Sequence, residues 1–258
     1  MYKSRTIFLI TAAYNEEGKI GEVVRRVPRD IVDAVFVVDD GSTDGTASEA
    51  RLYGANVVSL DRVYGAGFAV RLGFAEAQRR GMDIAVVIAG NNKDAPEEIT
   101  RLLDPLCDEN YDFVIGSRFL DGGEYGGDMP LYRKLATRLH PALVRLFCRK
   151  WVTESSNGYR AMNISVLADP RIDLYQGWLD GYQLEVYLLM KVLKLGYRTT
   201  EVPVTKIYPH RSKGNTKMRP FVDWWHMLSP VFTVGLGLDR LLTGRFRKKP
   251  RYCRIFTL

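Results

Sequence analysis

The chain is poor in cysteine, has no run of 18 apolar residues, and carries no acidic residue from Arg240 to Leu258. Its three cysteines, Cys107, Cys148 and Cys253, are an odd number at no metal-like spacing. That argues against a disulfide framework or a structural zinc site and for reduced thiols in a cytosolic compartment. Without a long apolar run no helix is expected to span a bilayer, and the opening Met1-Tyr2-Lys3-Ser4-Arg5 lacks the charged-then-apolar order of an export signal. Internal repeats and nucleic-acid-binding motifs are also missing, so no nucleic-acid partner is expected. The missing acids have a consequence of their own. Seven Lys and Arg lie between Arg240 and Leu258, and the thirty bases that remain of thirty-seven balance the thirty acids, so the whole net charge of +7 sits in the tail.

What is present is ample apolar content, 46% of 258 residues, in short runs that alternate with helical patterns. Thr6 to Ala13, Ala34 to Val38, Asn56 to Leu60, Ile84 to Ala89 and Asp112 to Gly116 read as strands. Between them lie an amphipathic helix carrying Ile20, Val23, Val24 and Val27, a helix after Asp39-Asp-Gly-Ser-Thr-Asp-Gly45 that Ser42 or Thr43 can cap, and a helix from Gly67 to Arg80. Pro96, with Glu97 and Glu98, opens another. This alternation implies an α/β fold with a mostly parallel, doubly wound sheet flanked by helices. Farther on, Leu131 to Lys150 is an amphipathic helix with Leu135, Leu139, Leu143, Leu146 and Phe147 on one side, expected to pack on the sheet, although basic residues beside such a stripe would also suit a membrane-facing helix. Glu154 to Arg160 is a turn, Tyr182 to Leu195 a helix and Arg198 to Lys206 a strand. Residues 1–220 form one catalytic-sized domain. Residues 221–258 form a segment in which Trp224, Trp225 and Phe232 precede the basic end, a pattern suited to a helix lying on an anionic membrane surface.

In a parallel sheet ligands sit beyond the carboxyl ends of the strands, where carboxylates can accept hydrogen bonds from a base or ribose. Glu16, Asp39 and Asp40 stand at those ends and make candidates for a nucleoside pocket. Gly65-Ala66-Gly67 matches neither a dinucleotide fingerprint nor a phosphate loop with its lysine.

Tyr14-Asn-Glu-Glu17, Val38-Asp-Asp-Gly-Ser-Thr-Asp-Gly-Thr46, Gly65 to Gly73, Pro96-Glu-Glu-Ile99, Gly116-Ser-Arg118, Asn157-Gly-Tyr-Arg160 and Gly196-Tyr-Arg-Thr-Thr-Glu-Val-Pro203 together resemble the family 2 glycosyltransferases of GT-A fold. Within that family the chain is most similar to the dolichyl- and polyprenyl-phosphate sugar synthases. The resemblance implies an inverting hexosyltransferase that moves a sugar from a nucleotide donor to a lipid phosphate at the cytoplasmic membrane face. It assigns Ala13, Glu16, Asp39, Asp40, Gly65, Arg71, Gly90 and Asn91 to the donor, and Arg133, Arg160, Arg211, Lys213 and Lys217 to the acceptor phosphate. Lys93, Asp94, Arg160, Asp180 and Glu185 become the catalytic candidates, the last two as bases should the acceptor be a soluble hydroxyl compound. A nucleotide-sugar-binding relative without catalysis is the remaining alternative.

The chain departs from the family where a metal is expected. The Asp-x-Asp motif falls on Ala89-Gly90-Asn91, and both carboxylates are missing. No tight metal site is expected, at most a weak Mg²⁺ or Mn²⁺ contact through Asn91 and Asp94. The Lys93 ammonium is expected to supply part of the missing charge, against the plainer reading of an exposed loop lysine paired with Asp94.

Overall fold

The computed structural model describes residues 1–127, 131–208 and 222–242. Nine strands and nine α-helices are described: β1 (Ile7–Ala13), α1 (Ile20–Arg25), β2 (Ala34–Asp39), α2 (Thr46–Leu52), β3 (Asn56–Ser59), α3 (Ala66–Arg79), β4 (Ile84–Ala89), α4 (Ile99–Asp108), β5 (Phe113–Ser117), β6 (Glu124–Gly127), α5 (Leu131–Cys148), β7 (Arg160–Asn163), α6 (Ile164–Leu167), α7 (Gln183–Leu195), β8 (Thr199–Pro203), β9 (Thr205–Tyr208), α8 (Val222–Gly235) and α9 (Asp239–Leu242). A 3₁₀ turn, Pro96–Glu98, leads into α4.

Seven strands form one sheet in the order β3-β2-β1-β4-β7-β5-β8. Every pair is parallel except those made by β7, which is antiparallel to both β4 and β5. Both faces are covered. Phe8 and Ile10 point into a core shared with α3, α7 and α8, while Ile7 and Leu9 point into a core shared with α1 and α4. That two-sided burial is why β1, β2 and β4 are continuous apolar runs without alternation.

The register lines up the strand ends that build the site. Ala13 lies beside Asp39, Asp39 beside Ser59, and Ala12 beside Ala89. Because β7 runs the opposite way, its first residue, Arg160, sits at the edge where β4 and β5 finish, paired with Val87 and Ile115.

Four expectations are corrected. The 198–206 run is two strands, with Val204 as the break: β8 joins the main sheet, and β9 pairs with β6 in a separate two-stranded sheet. The stretch ending at Arg160 continues into a central strand. α2 begins at Thr46 without a Ser42 or Thr43 cap, since the Ser42 hydroxyl instead accepts from the Asn15 N–H at 2.9 Å and ties the strand-one turn to the strand-two turn. Finally, the apolar stripe of α5 divides between core and surface, with Leu143 and Phe147 packed against the main core. Thr137, His140, Pro141 and Val144 are buried, while Leu135, Leu139 and Leu146 are exposed. The buried histidine is satisfied, with Nδ1 2.7 Å from the Ser155 hydroxyl and Nε2 3.0 Å from the Met227 carbonyl. Burial lowers its pKa, so the ring is neutral, and the Nε2 proton donates to that carbonyl.

α8 packs on α7 and α5, burying Val231 and Val234 in the main core. Lys194 donates to the Val234 carbonyl at 3.0 Å, and Lys191 pairs with Asp239 at 2.9 Å. The basic residues beyond Leu242 lie outside the described residues.

Candidate active site

The first half of the site is the edge formed by β1, β2 and the entrance to α3. Asp40 follows β2, and its carboxylate accepts from the Tyr64 N–H at 2.7 Å and the Gly65 N–H at 2.8 Å. Burial raises its pKa and these two donors act against the rise. Its neighbour Asp39 accepts from the Ser42 N–H at 3.0 Å. Glu16, also buried, accepts from the Lys19 ammonium at 3.0 Å, and its backbone N–H donates to the Thr46 hydroxyl at 2.7 Å. Carboxylates and main chain from three turns are thereby locked at one strand edge.

Gly65 and Gly67 have a packing reason. Gly65 has φ +112°, and a Cβ there would come within 2.4 Å of the Asp180 carbonyl oxygen. A Cβ on Gly67 would meet the Leu179 carbonyl oxygen at 2.2 Å. The first turn of α3 thus lies against residues 179–181, and the Phe68 N–H donates to the Asp180 carbonyl at 3.0 Å. Arg71, one turn on, is buried. Its guanidinium donates to the Leu174 and Gln176 carbonyls at 2.7 and 3.1 Å and to the Asp180 carboxylate. Arg71 clamps the 174–180 loop onto α3, and Asp180 is held as its ion partner.

The second half lies where β4 and β5 end. Gly90 has no room for a side chain without pressing on the Ala12 carbonyl and the Ala13 methyl, at 3.2 Å each. Asn91 follows, with its amide oxygen buried and without a hydrogen-bond partner. Lys93 is buried rather than exposed, its ammonium 5.1 Å from the centroid of the Tyr208 ring, and its carbonyl accepts from the Ile207 N–H at 2.8 Å. Asp94 is not paired with it. One Asp94 oxygen accepts from the Lys206 ammonium at 2.6 Å; the other is buried without a partner. Lys206 also donates to the Asn157 amide oxygen at 2.9 Å, and the Asn157 amide nitrogen donates to the Gly116 carbonyl at 2.8 Å.

Beside this network Arg118 donates to Glu154 at 2.6 Å, to the Tyr208 hydroxyl at 2.7 Å and to the Ser156 hydroxyl at 3.2 Å. Burial opposes ionisation of Glu154, but Arg118 and the Ser156 donors outweigh it and hold the carboxyl below its ordinary range. Arg160 donates to the carbonyls of Asn157 at 2.7 Å, Ser155 at 2.9 Å and Glu185. It fixes the 155–157 turn to the start of α7. The Glu185 carboxyl sits against Gly158, where a Cβ would meet it at 2.7 Å, and burial raises its pKa. Next to Arg118 opens a groove of about 750 Å³ with apolar walls that include Phe119, Leu120, Pro141 and Trp151, and with Arg138 at its side.

Sequence reasoning missed Lys206, Glu154 and the role of Asn157. Arg118 and Asn157 were inside quoted motifs, and Lys206 ended an expected strand, but nothing local indicated that Lys206 meets Asp94 across 112 residues. Of the acceptor-phosphate candidates, the Arg133 side chain and Arg211, Lys213 and Lys217 lie outside the described residues.

The donor set fits a resident divalent ion poorly. Such ions want several oxygen ligands, mostly carboxylate. Here one neutral amide oxygen and one carboxylate oxygen are open, and an ammonium already occupies the other Asp94 oxygen. No group of three or more His, Cys, Asp or Glu able to hold a metal occurs among the described residues.

A family model for glycosyl transferase family 2 matches residues 8–171. The chain belongs to that family. It is 32% identical over 223 residues to a polyprenol monophosphomannose synthase of Mycolicibacterium smegmatis, covering 83% of this chain and 81% of that one. It is 31% identical over 219 residues to an undecaprenyl-phosphate mannosyltransferase of Micrococcus luteus, covering 82% and 87%. A UDP-N-acetylglucosamine–dolichyl-phosphate N-acetylglucosaminyltransferase of Methanococcus voltae is 28% identical over 256 residues, 91% of this chain and 99% of its own. Among solved structures, glucosyl-3-phosphoglycerate synthase of Mycobacterium tuberculosis, crystallised with Mn²⁺, UDP and phosphoglyceric acid, superposes with a TM-score of 0.65 at 24% identity, covering 91% and 78%. The fold of this glycosyltransferase is therefore GT-A.

Proposed function

We propose that this glycosyltransferase moves a sugar from a nucleotide donor onto the phosphate of a polyprenyl- or dolichyl-type lipid while docked on a membrane surface. The observation that carries the reading is the pairing of a cation-rich strand end (Lys93, Lys206, Arg118) with an apolar groove that opens beside the exposed leucines of α5. A phosphate with a hydrocarbon tail suits that pairing, and the relatives named above are lipid-phosphate sugar transferases over most of their length. The donor lies over Ala13, Glu16, Asp39, Asp40, Gly90 and Asn91. A phosphate oxygen of the acceptor attacks the anomeric carbon as the bond to the nucleoside diphosphate breaks. An anionic oxygen is already a nucleophile, so the protein supplies positioning and stabilises the leaving diphosphate.

Incubation with radiolabelled nucleotide sugars and a polyprenyl phosphate is expected to move label into an organic-extractable product. Label appearing only in water-soluble product would favour a hydroxyl acceptor, with Glu185 the base, since its raised pKa suits proton abstraction and Asp180 is held by Arg71. Absence of transfer with any donor would leave a nucleotide-sugar-binding relative without catalysis.

No described helix is long and apolar enough to cross a membrane. Leu135, Leu139 and Leu146 of α5, with Trp225 and Phe232 of α8, leave exposed apolar surface accompanied by Arg138 and Arg145. Burying even part of three leucines in the interface contributes several kcal/mol, about 1.5–3 for each fully buried side chain. Replacing Leu135, Leu139 and Leu146 together by Gln is expected to reduce co-sedimentation with anionic liposomes at least tenfold. Truncation after Asp239 provides the comparison: a larger loss there would make the basic end the main anchor.

A further inference from the structure

Two oxygen atoms beyond the end of β4 are buried with nothing to accept from: the second oxygen of the Asp94 carboxylate and the amide oxygen of Asn91. A buried acceptor without a donor is destabilising, the more so when it belongs to a charged group. The rest of Asp94 is fully engaged. Its first oxygen accepts from the Lys206 ammonium at 2.6 Å, Lys206 donates a second N–H to the Asn157 amide oxygen at 2.9 Å, and the Asp94 backbone bridges that of Lys206. Asp94 and Lys206 together are neutral, so the pair has no excess of either sign to attract an ion. The two open oxygens can only accept, and the diphosphate of a nucleotide sugar has no proton to give them. A hydroxyl fits. It is neutral, it donates one proton, and its lone pairs can take the third Lys206 N–H, for which no protein acceptor is found among the described residues.

The place is right for a sugar. Gly90 packs on the Ala12 carbonyl and the Ala13 methyl, and Ala13 lies beside Asp39, so Asn91 borders the nucleoside edge. On the other side the Asn157 amide nitrogen donates to the Gly116 carbonyl at 2.8 Å, two residues before Arg118 and its groove. A group that leaves a nucleotide at the first edge for an acceptor in the groove passes between them, and Asp94, tied to Asn157 through Lys206, is the link.

We propose that Asp94 and Asn91 determine which sugar is transferred: their open oxygens accept hydrogen bonds from its hydroxyls, so the donor carries a neutral sugar with free hydroxyls and not one that turns a carboxylate toward Asp94. The inference rests on the donor-site reading above and adds which part of the donor these residues hold. They position the sugar and neither take a proton nor form a bond with it. A site built to hydrogen-bond a hydroxyl rejects the analogue that lacks it, because its own buried polar group is then left unpaired.

Calorimetry with UDP-glucose, UDP-galactose, UDP-N-acetylglucosamine, UDP-glucuronate and GDP-mannose, each beside its own nucleoside diphosphate, tests this on the intact chain. At least one neutral nucleotide sugar is expected to bind about tenfold tighter than its diphosphate, and at least one monodeoxy analogue of that donor to lose the gain. UDP-glucuronate is expected to bind no tighter than UDP. Asp94→Asn keeps an oxygen for Lys206 and presents an amide N–H where the open oxygen stood. In it the advantage of nucleotide sugar over diphosphate is expected to shrink at least about fivefold, while the diphosphate alone binds no more weakly. Asn91→Ala is expected to act in the same direction. Every nucleotide sugar binding like its diphosphate, every deoxy analogue binding like its parent, or UDP-glucuronate binding tightest would overturn the proposal and leave the donor site standing. So would Asp94→Asn weakening both ligands alike, the result of a carboxylate that only braces Lys206 or holds an enclosed water. No nucleotide binding under any condition would overturn both. Should Asp94→Asn fail to fold, the wild-type analogue series and Asn91→Ala, at a half-buried position, decide.

Discussion

Glu154→Ala is expected to lower stability by about 3–5 kcal/mol, the scale on which stripping one partner from a buried ion pair leaves an uncompensated charge. At roughly 2–4 °C per kcal/mol for a chain of this size, the melting temperature falls by about 10 °C. The size follows from what Glu154 touches. It is fully buried, it accepts from Arg118 at 2.6 Å, and it accepts from both the N–H and the hydroxyl of Ser156 at 2.8 and 2.7 Å. Its own N–H donates to Glu201, as does Thr153, so the loss propagates into the turn that carries Asn157. Glu154→Gln, which keeps the shape and loses the charge, is expected to cost less. The pH dependence has a definite sign. The folded pKa of Glu154 is depressed, so its contribution is fully present above the ordinary value near 4.5 and is lost as pH falls through the lower folded value. Melting curves of wild type and Glu154→Gln should therefore separate most at neutral pH and converge in acid. Curves that stay parallel down to acid would mean that the ion pair carries little of the stability.

The sheet was legible because burial on both faces writes itself into composition. Ile84 to Ala89 is apolar throughout, and the observed strand has those same bounds. β7 was not legible for the converse reason. Arg160-Ala-Met-Asn163 has no β-branched residue and runs antiparallel between strands whose sequences precede it by 43 residues or more on either side of α4; only the fold brings them together. The α5 stripe was only partly legible, for a different reason. Its leucine stripe satisfies the usual inward pattern, but the buried side is led by His140 and Thr137, whose polar atoms are satisfied by Ser155, Met227 and the Lys134 carbonyl. Periodicity locates a stripe and says nothing about whether protein or another phase covers it. The same limit applies to the site. Asp39 and Asp40 end a strand and advertise themselves, whereas the Asp94–Lys206–Asn157 network joins two loops and β9, which no local pattern connects.

On the proposed function, Asp40→Ala is expected to weaken nucleotide binding tenfold to a hundredfold while the circular dichroism of the fold persists. Asp40 does not merely stand at a strand end. Its two oxygens hold the Tyr64 and Gly65 N–H groups, and Gly65 in turn sits against the Asp180 carbonyl that caps the first turn of α3. Hydrogen bonds to a charged group contribute about 1.5–3 kcal/mol each, and tenfold in affinity is about 1.4 kcal/mol. A net loss worth one such bond, with water replacing the rest, thus accounts for the expected range if the 61–65 turn must be ordered before a nucleotide can bind. The stability cost is offset in part, because burial raises the Asp40 pKa above its ordinary 3.8 and the ionised carboxylate is itself held at a penalty. Here the sign is opposite to that of Glu154. Between the ordinary and the raised value the folded chain binds the extra proton, so this residue's contribution falls as pH rises through that window. Asp40→Asn separates the two roles. It keeps one acceptor oxygen and removes the buried charge, so its stability should match or exceed that of Asp40→Ala while its nucleotide affinity lies between wild type and Asp40→Ala. Calorimetry giving Asp40→Ala the wild-type affinity would move the nucleotide away from β2 and leave Asp40 as a brace for the α3 entrance alone.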